Sequence, residues 1–279
     1  MGILNVTPDS FSDGGNWVDP DKALMHALDM ADQGAQIIDI GGESTRPGSQ
    51  PVAAAEQLRR VLPVIERIAG ALASRHGDVA ISIDTTSSAV GRSALDAGAS
   101  MLNDISAGRD DPAMFALAAQ SGAPLVVMHM QGTPGTMRQA PKYNDVVAEV
   151  KQFLCQRADE AIASGVAPNQ IIVDPGIGFG KTRRDNLALL AHLHSIVACG
   201  FPVMLGTSRK RFMGDICKAA DGSAPMPHEL IEATCATTTL GVAAGVAIFR
   251  VHDVRANRNA ADVAHAIANA RTDAERVAD

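Results

Sequence analysis

Asn5, Asp39, Asp84, Asn103, Asp104, His129, Asp174, Arg250 and His252 follow one another along the chain, each in or just after a short apolar run. Any one of them alone reads as a strand-ending or helix-capping residue. Their recurrence at the end of nearly every such run points to a shared site. Asp84, Asn103 and Asp174 are short groups suited to a polar heterocycle, because a carboxylate accepts N–H donors in pairs while a carboxamide both donates and accepts. Arg46, Arg209, Lys210, Arg211, Arg250 and His252 could supply positive charge to phosphate-like oxygens, and the planar fork of Arg suits them best. Together the two groups imply a flat hydrogen-bonding ring that carries an anionic leaving group. Asn5 offers an oxygen to Mg2+, an ion often held by one or two protein groups plus substrate phosphates. A lone Asn reads first as a cap.

The elements that must bring these residues together have one rhythm. Short β-prone runs at 2–6, 36–42, 79–84, 100–104, 124–129, 170–176, 202–206 and 246–252 alternate with Ala- and Leu-rich helical patterns. The helices fit at 20–33, 52–73, 86–97, 111–121, 143–164, 183–198, 229–244 and 257–270. Eight strand–helix pairs predict a parallel (β/α)8 TIM barrel, with a doubly wound open sheet as the runner-up. Continuous rather than alternating apolar runs suit strands buried on both faces. Segments entering strands are brief, as in "AGA" before Ser100, whereas several leaving strands are long and polar, and in barrels those loops build the active face. No boundary or linker interrupts the pattern, so residues 1–279 are expected to form one domain; the stretch 221–227 reads as a loop.

Composition narrows the function. The 279 residues are 46% hydrophobic and carry a formal net charge of −7, which argues against a nucleic-acid or membrane-surface binder. Aromatics make up 3%, too few for a base-stacking platform. No apolar run reaches membrane-spanning length and no signal peptide precedes the first strand. The four scattered cysteines, with no CxxC pair, read as reduced thiols of a cytoplasmic protein. "GIGFGK" fails the dinucleotide pattern because Lys181 stands where the last glycine belongs, and "HELIE" has Glu232 where a zinc-protease helix needs its second His. The polar stretch after Asn5 runs to about Asp19, far beyond the usual four to six residues, as lids and binding loops do.

"GILNVTPDSFSDGG" and "DIGGESTRPGS" resemble the two signature segments of the dihydropteroate synthase family, the sulfonamide-target enzymes of folate biosynthesis. The likeness continues in order through "SIDT", "LNDISAG", "VVMHMQGTPGTM", "VDPGIGFGKT", "GTSRKRF" and "FRVHD", nearly the length of the chain. It implies a (β/α)8 barrel that condenses 6-hydroxymethyl-7,8-dihydropterin pyrophosphate with p-aminobenzoate, using Mg2+, in a cytoplasmic homodimer. By resemblance, Asp84, Asn103, Met128, Asp174, Gly206 and Lys210 belong to the pterin pocket. Asn5, Thr45, Arg250 and His252 belong to the diphosphate and magnesium end. Phe11, Asp13, Arg46 and Pro47 fall in the two mobile loops that complete the p-aminobenzoate site, which Arg211 also serves, and Phe179 is a further substrate-binding residue. The catalytic set would be Asp84, Asp174, Lys210, Arg250 and His252, with Asn5 on the metal. The loop after Asn5 then becomes a lid excluding water from a reactive intermediate.

The resemblance has departures. Arg211 stands where a common family form has Ser to hold the p-aminobenzoate carboxylate; Arg could serve by charge or by its backbone N–H at a helix start. The sequence opens at its first strand, without the hairpin that often precedes it in the family, so either the amino terminus is trimmed or the barrel floor is plugged differently. Segment 212–228 has no clear family counterpart. Two rival readings share the pocket: a pterin-binding methyltransferase domain, which has no reason for "SRKR", and a non-catalytic pterin-binding paralogue. A sulfonamide-resistant variant would keep every substrate contact and alter only how the outer loops exclude the drug's ring.

Overall fold

The computed structural model describes residues 1–7, 19–45, 48–137 and 141–278, with side chains as far as residue 270. All eight expected strands form: β1 Gly2–Asn5, β2 Ile37–Gly41, β3 Ala80–Asp84, β4 Met101–Asp104, β5 Leu125–Met128, β6 Ile171–Asp174, β7 Met204–Leu205 and β8 Ile248–Phe249. The first six make a parallel sheet in sequential order and β7 pairs with β8. Bridges Val173↔Val203 and Gly2↔Val251 join the two sheets at both seams, so the strands close into a barrel.

Around the barrel run α1 Pro20–Asp32, α2 Ala54–Arg75, α3 Ser88–Asp96, α4 Ala113–Ser121, α5 Val146–Ala163, α6 Arg183–Ala191, α7 Leu193–Val197, α8 Arg211–Gly214, α9 Ile231–Ala244 and α10 Val254–Ala278. Their limits have local causes. Asp19 caps α1 by accepting from the Asp21 N–H with Pro20 at the first position, and Asp145 caps α5 through Val147 and Ala148. Thr182 and Asp185 form a reciprocal capping box at α6. Gly122 and Gly245 end α4 and α9 in the left-handed conformation that glycine adopts without penalty.

The strands alternate side chains between two environments. Ile38, Ile40, Ile81, Ile83, Leu102, Leu125, Val127, Ile171 and Val173 share one cluster with helix residues such as Val61, Ile65, Ile68 and Leu154. Met101, Val126, Ile172 and Met204 instead meet inside the barrel, with Met1, Ile37 and Ile248 packed against them. This apolar layer is the floor of the barrel. Both faces are buried, as the unbroken apolar runs implied, but the inward face turns polar toward the carboxyl ends.

Three expectations shift. The helix anticipated over 183–198 breaks into α6 and α7 at His192, whose backbone N–H and ring Nδ1 both turn to the Ala188 carbonyl. α10 starts at Val254 and runs to Ala278, because no Gly or Pro stops it. β7 and β8 are shorter than expected: the Arg250 N–H bonds Leu205 of β7, and the next N–H, Val251, bonds Met1 beside β1, so the strand changes partner there. A single turn, α8, opens at Arg211, in keeping with the helix start considered for that residue. No helix among the described residues is long and apolar enough to cross a membrane.

Candidate functional site

A cavity of about 760 Å3 opens at the carboxyl ends of the strands. Among the residues singled out in the sequence, Asn5, Thr45, Asp84, Asn103, Met128, Asp174, Phe179, Gly206, Lys210, Arg211, Arg250 and His252 all line it. Phe11, Asp13, Arg46 and Pro47 lie outside the described residues.

The inner wall is organised by Arg250. Its Nε donates to Asp39 at 2.6 Å and its Nη2 to Asp84 at 2.7 Å, both carboxylates being buried. Asp39 also accepts from Asn103 Nδ2 at 3.1 Å, which turns the other end of the carboxamide, Oδ1, into a buried acceptor with no partner among the described residues. Asn103 itself lines the cavity, so its carboxamide belongs to this wall. Burial raises the Asp84 carboxyl while the Arg250 guanidinium opposes it. The charge of Arg250 itself is held on by Asp39 and Asp84.

Asp174 faces the same space. Its Oδ1 accepts the Gly176 N–H at 2.7 Å. A methyl group at Gly206 would lie 4.0 Å from its Oδ2 and 3.9 Å from the Arg250 Cβ, so the two charged groups share one end of the barrel with bare backbone between them. Burial raises this carboxyl too, against the pull of Lys210, Lys181 and Arg250. Asn5 Oδ1 and Asp84 Oδ2 each stand 3.7 Å from where a Gly41 methyl would project, placing the Asn5 oxygen beside the acidic wall.

The outer part carries Lys210, whose Nζ lies 4.1 Å from the centre of the Phe179 ring. Burial lowers its ammonium to about 8. His252 is fixed by Ser208, whose Oγ accepts the His252 backbone N–H at 3.1 Å and lies 2.9 Å from its Nδ1. Arg209 also lines the cavity, and its fork pairs with Asp253 at 2.8 and 3.1 Å. Arg211 is exposed at the mouth and opens α8. With four residues that helix has almost no dipole to lend, which leaves the Arg211 side-chain charge as its contribution.

Three contributors escaped sequence reasoning. For Asp39 the available signal is a charge in the middle of "QIIDIGG". Ser208 looks like an ordinary loop residue. Lys181 was dismissed with the failed glycine pattern, yet it is buried behind the cavity. Among the described residues no group of three or more His, Cys, Asp or Glu side chains could hold a metal. Asn5 offers a single hard oxygen, which fits an ion bridged by substrate phosphates and not a resident metal centre.

Acidic and amide acceptors at the ends of barrel strands, with cations beside them, define an α/β-barrel enzyme that binds a polar ring bearing an anion. The pterin binding enzyme family matches residues 1–252, and the chain belongs to it. The dihydropteroate synthase of Synechocystis sp. is 46% identical over 267 residues, covering 96% of this chain and 89% of that protein. Among solved structures, the Yersinia pestis dihydropteroate synthase with a sulfonamide drug superposes with a TM-score of 0.88 at 41% identity, covering 96% of this chain and 93% of that one. The Xanthomonas albilineans enzyme with 4-aminobenzoic acid gives 0.85 at 43% identity, covering 96% and 92%.

Proposed function

We propose that this chain is a transferase that condenses 6-hydroxymethyl-7,8-dihydropterin pyrophosphate with p-aminobenzoate, giving 7,8-dihydropteroate and diphosphate. One observation carries the reading beyond kinship: the side chains of Asn103 and Asp174 line one cavity with Arg250. A pterin edge presents the N–H donors these acceptors need. The bare backbone at Gly206 leaves room for a flat ring between Asp174 and Arg250.

Bond breaking leads, in an SN1-like substitution. The exocyclic carbon–oxygen bond parts, the diphosphate leaves with the electron pair, and the pterin spreads the positive charge. Asp84 and Asp174, buried and prearranged, favour that cation where it forms. The p-aminobenzoate nitrogen then attacks and loses a proton. That amine is already neutral near pH 7, so orientation by Phe179, Lys210 and the Arg211 charge matters more than a base.

The electrostatics support a divalent ion. On the described inner wall Arg250 is already matched by Asp39 and Asp84, so it brings little net charge to the leaving group. Mg2+ arriving with the diphosphate and touching Asn5 would neutralise charge developing on the departing oxygens. Thr45 and His252 line the same end. Unpaired cysteines are consistent with a cytoplasmic location. Leu240 on α9 and Val263 and Ile267 on α10 are each more than half exposed, which supports a homodimer through this face. Sedimentation of wild type against Val263→Glu tests it, and a monomeric wild type would end it.

The deciding assay mixes both substrates and follows diphosphate and dihydropteroate, with and without Mg2+ and with a sulfonamide added. Product that requires both substrates and Mg2+ is expected. Absence of diphosphate release, or methyl transfer from methyltetrahydrofolate instead, overturns the reading.

A further inference from the structure

Lys181 has no part in the chemistry above, yet its surroundings are among the most specific in the molecule. The side chain is buried, and its Nζ lies 2.9 Å from His129 Nδ1, 2.9 Å from the Gly176 carbonyl, 3.0 Å from that of Phe179 and 3.2 Å from that of His129. An ammonium has three N–H donors, and here they meet only neutral acceptors. A buried charge with no carboxylate in contact is costly unless its hydrogen bonds are well made. Four acceptors converging on one nitrogen are how this one is accommodated.

These acceptors belong to two segments: the residues following β5 and the loop from β6 to α6. The segments touch backbone to backbone. A Cβ on Gly176, at φ +63°, would fall 1.9 Å from the His129 carbonyl oxygen, and one on Gly180, at φ +59°, 2.2 Å from that of Gln131. Other donors complete the fastening, with Tyr143 Oη donating to the Gly180 carbonyl and the Gly178 N–H to Asn186 Oδ1. The pinned loop presents Phe179, and a Cβ on Gly178 would lie 3.1 Å from the stem of Lys210. His129 is itself wedged edge-on against Phe153, with ring centres 4.9 Å apart.

We propose that Lys181 is a positioning residue for the second substrate: by clamping the β6–α6 loop to the end of β5 it fixes the Phe179 ring opposite Lys210, and so sets the slot for the aminobenzoate ring. The inference rests on the reaction proposed above, and wild-type turnover with both substrates tests that reaction separately. Lys181→Met keeps the length of the stem and removes the donors. It is expected to raise KM for p-aminobenzoate about tenfold. KM for the pterin diphosphate should stay within about twofold and kcat within about threefold.

A purely structural lysine would not give that split, nor the outcome of the double mutant. Because Lys181 acts through Phe179, adding Lys181→Met to Phe179→Ala should change KM for p-aminobenzoate by less than about twofold. Independent multiplication of the two effects overturns the proposal, as does an equal rise in both KM values. Should Lys181→Met fail to show a cooperative melt, Lys181→Gln, which retains two donors, is held to the same criteria. Phe179→Ala alone is decisive in one direction: if it raises KM for p-aminobenzoate no more than KM for the pterin, the slot is not where the clamp would place it.

Discussion

The two ends of the barrel are made by the same strands and could hardly differ more. At the floor, Met101, Val126, Ile172 and Met204 fill the interior with apolar side chains, Met204 forming the boundary with the cavity above. Two residues further along the same strands stand Asn103, Met128, Asp174 and Gly206, and the interior has become a polar cavity. Strand alternation keeps both sets facing inward. The lesson is that stability and chemistry are separated along the strand axis, not between domains or between strands and loops. A floor residue can be altered for stability and a rim residue for turnover.

Arg250 should break that separation most severely, since it is a rim residue with a structural duty. Arg250→Met leaves Asp39 and Asp84 buried without their cation, and removing one partner of a buried pair costs about 3–5 kcal/mol. Urea unfolding should show a loss of that order, together with loss of turnover. Restoring stability by adding Asp39→Asn without restoring turnover would sharpen the distinction. Asp174→Asn is the clean rim change: turnover should drop by about two to three orders of magnitude, while the melting temperature holds. Kinetics like those of wild type would remove Asp174 from its assigned place.

The floor supplies the converse. Ile172→Ala should cost about 2–5 kcal/mol by chemical unfolding and leave kcat within about twofold. A large kinetic effect would mean that floor and rim are coupled. The smallest effect is a pH response. Lys210 titrates near 8 because burial lowers it, so its charge over Phe179 is lost as pH rises through that value. Activity should fall on the alkaline side. Between that pH and the ordinary lysine range the unfolded chain keeps a proton the native one has released, so this group makes stability rise with pH. Activity and stability moving in opposite directions between pH 8 and pH 10 would be its signature; parallel loss would assign the limb to unfolding.

Much of this was open to reading beforehand. Strand order and the carboxyl-end location of Asn5, Asp84, Asn103, Asp174, Arg250 and His252 followed from short apolar runs that terminate in polar residues. That Asp253 pairs with Arg209 is not visible in "SRKR", because the two are 44 residues apart and meet only in the fold. The break at His192 was missed because helical periodicity continues across it, while the competition for the Ala188 carbonyl is a side-chain matter.

What the sequence determined by itself was local or repetitive: the alternation of elements, their caps, the kinship carried by ordered motifs, and the kinds of functional group available. Tertiary structure alone decided who meets whom. Arg250 is 211 residues from Asp39 and 166 from Asp84, and only closure of the last strand against the first brings them within 2.7 Å. Lys181 reads as an ordinary surface lysine until folding surrounds it with carbonyls. The physical reason is that periodicity and capping act over one or two helical turns, whereas charge pairing and burial depend on distance in space. The proposal as a whole needs the acceptor wall and the diphosphate cradle to occupy a single opening; a ligand-bound structure with the ring seated anywhere else would end it.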